Sequence, residues 1–308
     1  MQERRKRKKK ASKIIFILLV ILTLTLSLIL VLKLSHPFSE NKTEASVTKI
    51  SKSKKESETT TSDQISSENP DSADLPIDWI KQETPINIPI LMYHAIHKMA
   101  PEEISNANLI VDPTTFESHI QKLSEEGYYF LTPEEAYQVL SENVLPNGNN
   151  KVIWLTFDDS LWDFYDHAFP ILKKYQAKAT NNVITGSVNN PGSLTLDQMI
   201  EMKEAGMSFQ GHTVNHPDLE MSDLNSQNNE LEISKEYLDS ELNQETIAVA
   251  YPAGRYSNDT LQITQSLNYK LGVTTNEGLA SAADGLLSLN RVRILPTTTA
   301  ESLLNQIQ

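Results

Sequence analysis

The 308-residue chain contains no cysteine. That absence excludes a disulfide-stapled scaffold, a thiol nucleophile and any thiolate metal site, so a bound metal would have only oxygen and nitrogen ligands. An excess of positive charge is also lacking. The 27 Lys and Arg stand against 40 Asp and Glu, a formal charge of −13, which argues against a nucleic-acid binder. The balance is uneven along the chain. Residues 1–13 hold eight basic side chains against Glu3, residues 14–84 hold seven basic and ten acidic, and residues 85–308 hold twelve basic and twenty-nine acidic. A basic head, a weakly charged middle and an acidic body are therefore distinct regions. The length is ample for one catalytic-sized domain with extensions.

From Ile14 to Leu32 no charge occurs, and only Thr23, Thr25 and Ser27 interrupt the apolar run. As a helix it would cover about 28 Å, close to the hydrocarbon core of a bilayer. The basic residues before it predict a cytoplasmic N-terminus, leaving the acidic body outside. A cleaved signal peptide would end in a small-x-small site, which Val31–Pro37 does not offer. Ser39–Asp74 has no aromatic residue and is dominated by Ser, Thr, Glu, Lys and Asp, too little apolar surface to offset the entropy of ordering. The expected plan is a basic cytoplasmic tail at 1–13, a single membrane anchor at 14–34 inserted in the lipid bilayer, a disordered extracellular linker at 35–84 and a catalytic body at 85–308. Internal repeats are absent.

In the body, short apolar runs alternate with helical patterns. Ile88–Tyr93, Val152–Phe157, Lys178–Ile184, Met207–Gln210, Ile247–Ala250, Leu271–Thr274 and Arg291–Leu295 read as strands. Phe116–Glu126, Pro133–Glu142, Phe164–Tyr175, Thr195–Ala205, Gln227–Leu242 and Asn258–Leu267 read as helices. The alternation predicts an α/β fold with a mainly parallel sheet, open or closed into a barrel, and active sites of such sheets gather at the C-terminal strand ends.

Four strand ends carry residues able to do chemistry. Trp154-Leu155-Thr156-Phe157 runs into Asp158-Asp159; neighbouring carboxylates there point apart, so one can bind a metal while the other takes a proton. His212 and His216 stand four apart and can face one metal across a single turn, and Pro217 makes that turn non-helical. The glutamate of a helical H-E-x-x-H site is missing between them. Either pair alone has an ordinary explanation as capping or surface residues. Together, one Asp and two His form an open, catalytic type of metal site. Tyr251-Pro252-Ala253-Gly254 is a sharp turn that could aim a backbone N–H, about at Ala253, toward an oxyanion. His94 closes the apolar strand Leu91-Met92-Tyr93. Tyr93, Trp162 and Tyr251 are candidates for stacking on a sugar, with core packing as the equal alternative. His97, His119 and His167 have no partner pattern and read as surface residues.

Thr156-Phe157-Asp158-Asp159 and His212-Thr213-Val214-Asn215-His216, in this order, resemble the first two motifs of the polysaccharide deacetylase family (NodB homology domain, carbohydrate esterase family 4). The resemblance spans roughly residues 86–296 and implies a distorted (β/α) barrel. It implies a divalent metal, most simply Zn2+ with Co2+, Ni2+ or Mn2+ as alternatives, on Asp159, His212 and His216, with Asp158 as general base. The chain departs from the common pattern in three places. Ser160 stands where the family has glycine, no arginine precedes the Tyr251-Pro252 turn, and no histidine follows His216. These departures match a permuted branch that includes deacetylases of poly-N-acetylglucosamine. In that branch the acid histidine comes from the first strand, here His94, and an arginine on the last strand, Arg291 with Arg293 as rival, orients the base. Anchor and stalk are also similar to membrane-bound streptococcal cell-wall deacetylases, which implies a Gram-positive cell membrane and an N-acetylated wall or surface polysaccharide as partner. The rival expectations are an O-acetyl esterase and a non-catalytic sugar-binding scaffold.

Overall fold

The computed structural model describes residues 76–308. The tail, the anchor and most of the linker lie outside the described residues. Among the described residues no helix is long and apolar enough to cross a membrane.

Seven strands build the centre: β1 (Ile90–Tyr93), β2 (Val152–Phe157), β3 (Thr180–Val183), β4 (Ser208–Gly211), β5 (Ala248–Ala250), β6 (Leu271–Glu277) and β7 (Leu289–Arg293). Each pairs in parallel with its sequence neighbour, and β7 and β2 both pair with β1, so the sheet closes into a seven-stranded barrel. All four residues of β1 and all six of β2 are buried, as expected of parallel strands covered on both faces. Strand alternation sorts these side chains. Ile90 and Trp154 meet Ala248, Ala250, Leu271, Val273 and Leu289 from across the ring, which is possible only inside it. Leu91, Tyr93, Leu155 and Phe157 pack outward with Phe116, Ile120, Phe169 and Leu172 of the surrounding helices. The weakest seam is β4–β5, where Gly211 and Val249 are the paired residues. There the Gln210 side-chain oxygen accepts the N–H groups of Ile247 (2.9 Å) and Ala248 (2.7 Å) and so replaces missing ladder bonds.

The helices are α1 (Pro113–Glu125), α2 (Pro133–Glu142), α3 (Phe169–Lys174), α4 (Leu196–Glu204), α5 (Leu224–Leu242), α6 (Asn258–Ser266) and α7 (Ala300–Gln306). Their starts follow the capping chemistry of the sequence. Asp112 caps α1 with Pro113 behind it, and Thr132 with Glu135 and Thr195 with Gln198 form reciprocal capping boxes on α2 and α4. The segment expected as one helix over 164–175 is a wide-turned stretch, Phe164–Ala168, followed by α3. Pro170, which has no N–H to give, lies at this junction. Helix α7 was not legible from periodicity; its Leu303, with Ile307 just beyond, joins the core against Ile120 and Leu123.

The described structure begins at residue 76, ahead of residue 85. Trp79–Lys81 pairs antiparallel with Val144–Pro146, and Trp79 packs on the apolar cluster at that end of the barrel.

Candidate active site

The residues singled out at four strand ends converge on one mouth of the barrel. Asp158 and Asp159 follow β2, and the chain turns sharply there, with φ of 77° at Asp159 and 51° at Ser160. His212 follows β4, and the turn to His216 is non-helical, with φ of 63° at Thr213 and 56° at His216. One Asp159 carboxylate oxygen lies 3.4 Å from His212 Nε2 and 3.7 Å from His216 Nε2. All three candidate ligand atoms fall within 4.8 Å of one another. Ligands about 2.0–2.1 Å from a tetrahedral zinc ion are roughly 3.3 Å apart, so the trio has the dimensions of such a site.

The donor chemistry fits as well. The buried His212 ring donates Nδ1–H to the Ala250 carbonyl at 2.7 Å. In the neutral ring that tautomer leaves a lone pair on Nε2, which is buried and has no hydrogen-bond partner among the described residues. Burial opposes charge on His212, yet the carboxylates of Asp159 and Asp158 outweigh it and raise its pKa. A pocket that attracts a proton this way also attracts a cation.

Asp158 has a different environment. Its carboxylate is buried and receives a two-pronged ion pair from Arg291, 2.9 Å to Oδ1 and 2.7 Å to Oδ2. Arg291 is itself completely buried on β7 and is held by Thr156 Oγ1 (3.1 Å) and the Thr274 carbonyl (2.7 Å). Burial alone would raise the Asp158 pKa, but the Arg291 charge and hydrogen bonds overcome it and keep the group well below the usual carboxylate range. The Asn182 amide, from β3, donates a further 2.7 Å bond to Asp158 Oδ1. Reading the sequence missed Asn182: β3 reads Thr180-Asn181-Asn182-Val183, and neither asparagine stands in a motif. Of the two candidate arginines, Arg291 is the one at Asp158, and Arg293 has its backbone N–H on Glu277 at 3.3 Å.

His94 Nε2 stands 4.0 Å from Asp158 Oδ2, at the edge of a cavity of about 270 Å³ lined by His94, His97, Glu103, Asp159 and Trp162 among others. Burial lowers the His94 pKa, against the pull of Asp158 and Asp159. The Pro252–Gly254 turn places Ala253 at φ 51°, and the Ala253 N–H makes no hydrogen bond within the described residues. Gly254, at φ 70°, is required there because a Cβ would lie 2.1 Å from Thr275 Oγ1.

A family model for polysaccharide deacetylases matches residues 146–272. The Bacillus subtilis protein YxkH, named for the same family, is 39% identical over 218 residues, covering 71% of this chain and 75% of its own. The chain belongs to the polysaccharide deacetylase family. The poly-β-1,6-N-acetyl-D-glucosamine N-deacetylase of Staphylococcus epidermidis is 30% identical over 212 residues, with 61% of this chain and 72% of that one covered. Among solved structures, the Streptococcus pyogenes deacetylase PplD in complex with acetate is 63% identical. It superposes with a TM-score of 0.71 over 73% of this chain and 100% of that one.

Four aromatic and imidazole assignments change in the deacetylase fold. Tyr93 is fully buried, stacks on Phe157 at 5.0 Å and shares a 3.0 Å hydrogen bond with His119 Nδ1, so it cannot meet a sugar. Tyr251 is likewise fully buried, with its hydroxyl on the Leu287 carbonyl at 2.9 Å. Both rings occupy the alternate strand face, which points away from the mouth. His119 is a core residue that also reaches the Thr298 carbonyl at 2.8 Å. His97 is not a free surface residue either: Nδ1 lies 2.5 Å from the buried Asp163 and Nε2 3.0 Å from Glu103. Trp162 alone of the three stacking candidates stays accessible, 39% exposed and stacked on His97, with His167 against it.

Ser160 stands in left-handed backbone, and its buried hydroxyl has no hydrogen-bond partner among the described residues. An unpaired buried hydroxyl costs about 1–3 kcal/mol, against roughly 0.5–1 kcal/mol for the extra chain entropy of glycine. Ser160→Gly should therefore stabilise this deacetylase by about 1 kcal/mol, raising Tm by about 2–4 °C. Thermal unfolding followed by circular dichroism checks this, and a lower Tm would contradict the account of strain.

Proposed function

We propose that the protein hydrolyses N-acetyl groups on N-acetylglucosamine residues of a cell-wall or surface polysaccharide, with one divalent cation, most simply Zn2+, held by Asp159, His212 and His216. The observation that carries this reading is that trio standing beside an arginine-clamped Asp158, whose carboxylate lies 4.0 Å from His94, with Asp159 and His94 both lining one cavity. The names of the relatives support it: one acts on poly-β-1,6-N-acetyl-D-glucosamine, and another deacetylase binds acetate, the product of such a cleavage. The basic head and apolar run predict that the body works outside a membrane to which residues 14–34 anchor it.

The cation, when bound, supplies Lewis acidity that polarises the acetyl carbonyl and acidifies the attacking water. A carboxylate held as low as Asp158 is a weak base, so its proton abstraction relies on that acidification. Arg291 and Asn182 orient Asp158 toward the water, and the Ala253 N–H is free to receive the developing oxyanion. His94 then delivers a proton to the amide nitrogen as the C–N bond breaks, releasing acetate and a free amine. Its burial-lowered pKa makes it a stronger acid for that step. Trp162 offers an exposed ring at the rim for a neighbouring sugar.

Acetate release from N-acetylglucosamine oligosaccharides, before and after chelation, tests the proposal. Activity should vanish on removal of the cation and return with Zn2+. Undiminished activity in protein shown to be metal-free would refute the cation's role. A clear preference for O-acetylated over N-acetylated glycans would instead favour esterase chemistry.

A further inference from the structure

His212 and His216 bound a turn whose backbone is strained at both Thr213 and His216, and positive φ is most unfavourable for a β-branched residue such as Thr213. The two histidines are not equally secured. His212 is buried and tied to the Ala250 carbonyl, whereas the His216 side chain is 37% exposed and meets the His212 ring edge-on, with centroids 4.8 Å apart. The direction of His216 therefore depends on the turn itself. On one side the turn rests on backbone: Thr185 N–H donates to the Thr213 carbonyl (3.1 Å) and Gly186 N–H to the Val214 carbonyl (2.9 Å). A Cβ at Gly186 would fall 2.7 Å from that Val214 oxygen, so the contact is made at glycine distance.

On the other side stands Glu230 of α5. Its Oε2 accepts the N–H groups of Val214 (2.9 Å) and Asn215 (2.8 Å), and its Oε1 accepts Asn215 Nδ2 (2.7 Å). Two successive backbone N–H groups converging on one oxygen form an anion-binding nest, and bonds to a carboxylate are stronger than neutral ones. The helix that carries Glu230 is anchored by the buried Leu231 and Leu238, about two turns apart on one face. The carboxylate thus reaches the turn from a fixed element.

We infer that Glu230 is a positioning residue for the cation site: it locks residues 213–216 in the strained conformation that aims His216 at Asp159 and His212. The inference rests on the cation-binding reading above. Partners of this kind, one step removed from the metal, commonly change affinity about 10–100-fold when lost. Glu230→Ala should weaken Zn2+ binding by that factor, measured by competition with a chelating dye. Glu230→Gln should lose less, because its amide oxygen still accepts the two N–H groups. Glu232→Ala, on the same helix, should bind Zn2+ as the wild type does. In cation-free protein, Glu230→Ala should also speed hydrogen exchange at the Val214 and Asn215 amides, a readout independent of catalysis. Zn2+ affinity unchanged within about twofold in Glu230→Ala would overturn the inference. So would equal losses in the Ala and Gln variants accompanied by a general fall in Tm, which would mark a merely structural role. If the wild type binds no Zn2+ while Glu230→Ala still accelerates those two amides, the cation reading fails and the turn-locking part stands.

Discussion

Asp158→Asn is expected to lower acetate release by about 10²–10⁴-fold while leaving cation content intact, because it removes a proton acceptor but none of the three candidate ligands. Asn keeps the shape of the side chain and can still accept from Arg291 with one oxygen, so the loss should fall on kcat more than on KM. The companion variant His94→Ala should lose activity strongly on an N-acetyl substrate, where the leaving nitrogen needs a proton. It should lose less on an O-acetyl ester, whose alkoxide leaves more readily. Steady-state kinetics with cation content measured on the same samples decides both points. Near-wild-type turnover in Asp158→Asn would remove this residue from the role of base. Equal losses of His94→Ala on amide and ester would remove the proton-donor role.

Arg291→Met should be the most damaging single change to the folded body. Arg291 and Asp158 are both buried and satisfy each other through two hydrogen bonds. Removing one partner of such a pair costs about 3–5 kcal/mol, since the other charge stays buried without compensation. For a domain of this size that corresponds to a fall in Tm of roughly 10 °C or more. Activity should fall with it, because Asp158 loses the group that orients it, and its pKa rises once burial is opposed only by His212, His94 and the Asn182 amide. The pH dependence should flatten. In the wild type the Asp158 pKa is depressed on folding, so its contribution to stability is complete above the ordinary carboxylate range and is lost only as pH falls through the depressed value. In Arg291→Met the folded pKa moves up toward the unfolded one, so this contribution shrinks. The double variant Asp158→Asn, Arg291→Met should recover part of the lost Tm, a non-additivity diagnostic of the pair. Independent, additive losses would show that the two side chains do not depend on each other as the geometry states.

Chemical denaturation across pH would separate these effects from simple core disruption. Met is close to Arg in length and apolar, so cavity formation contributes little to the expected loss.

Much of this site is legible in the sequence alone. Residue type and order at the ends of β2 and β4 were enough to single out Asp158, Asp159, His212 and His216, because metal ligation demands particular atoms and strand ends are where parallel sheets expose them. The seven strands and six of the seven helices followed from period and capping residues, which are local properties of the chain. Asn182, Glu230 and the pairing of Asp163 with His97 left no comparable trace. Each is a single polar residue whose partner is distant in sequence, and a lone Asn or Glu has many ordinary explanations. Core packing, the alternative expectation for Tyr93 and Tyr251, holds for a related reason. Tyr93 and Tyr251 sit beside reactive residues in sequence, but adjacent residues of a strand point to opposite faces.

Local chemistry, then, was sufficient for an α/β class, for one Asp and two His as candidate ligands and for the separation of an acidic body from a basic, apolar head, while the barrel and the choice of Asp159 were implied by the family resemblance. The absence of cysteine had already confined any metal to oxygen and nitrogen. Closure of the barrel decided the rest. It brings Arg291 of the last strand to Asp158, separated from it by 133 positions, and sets His94 of the first strand 4.0 Å from the same carboxylate. The physical reason is that ligand type is written in single residues, whereas the partner that tunes a buried charge is chosen by three-dimensional proximity.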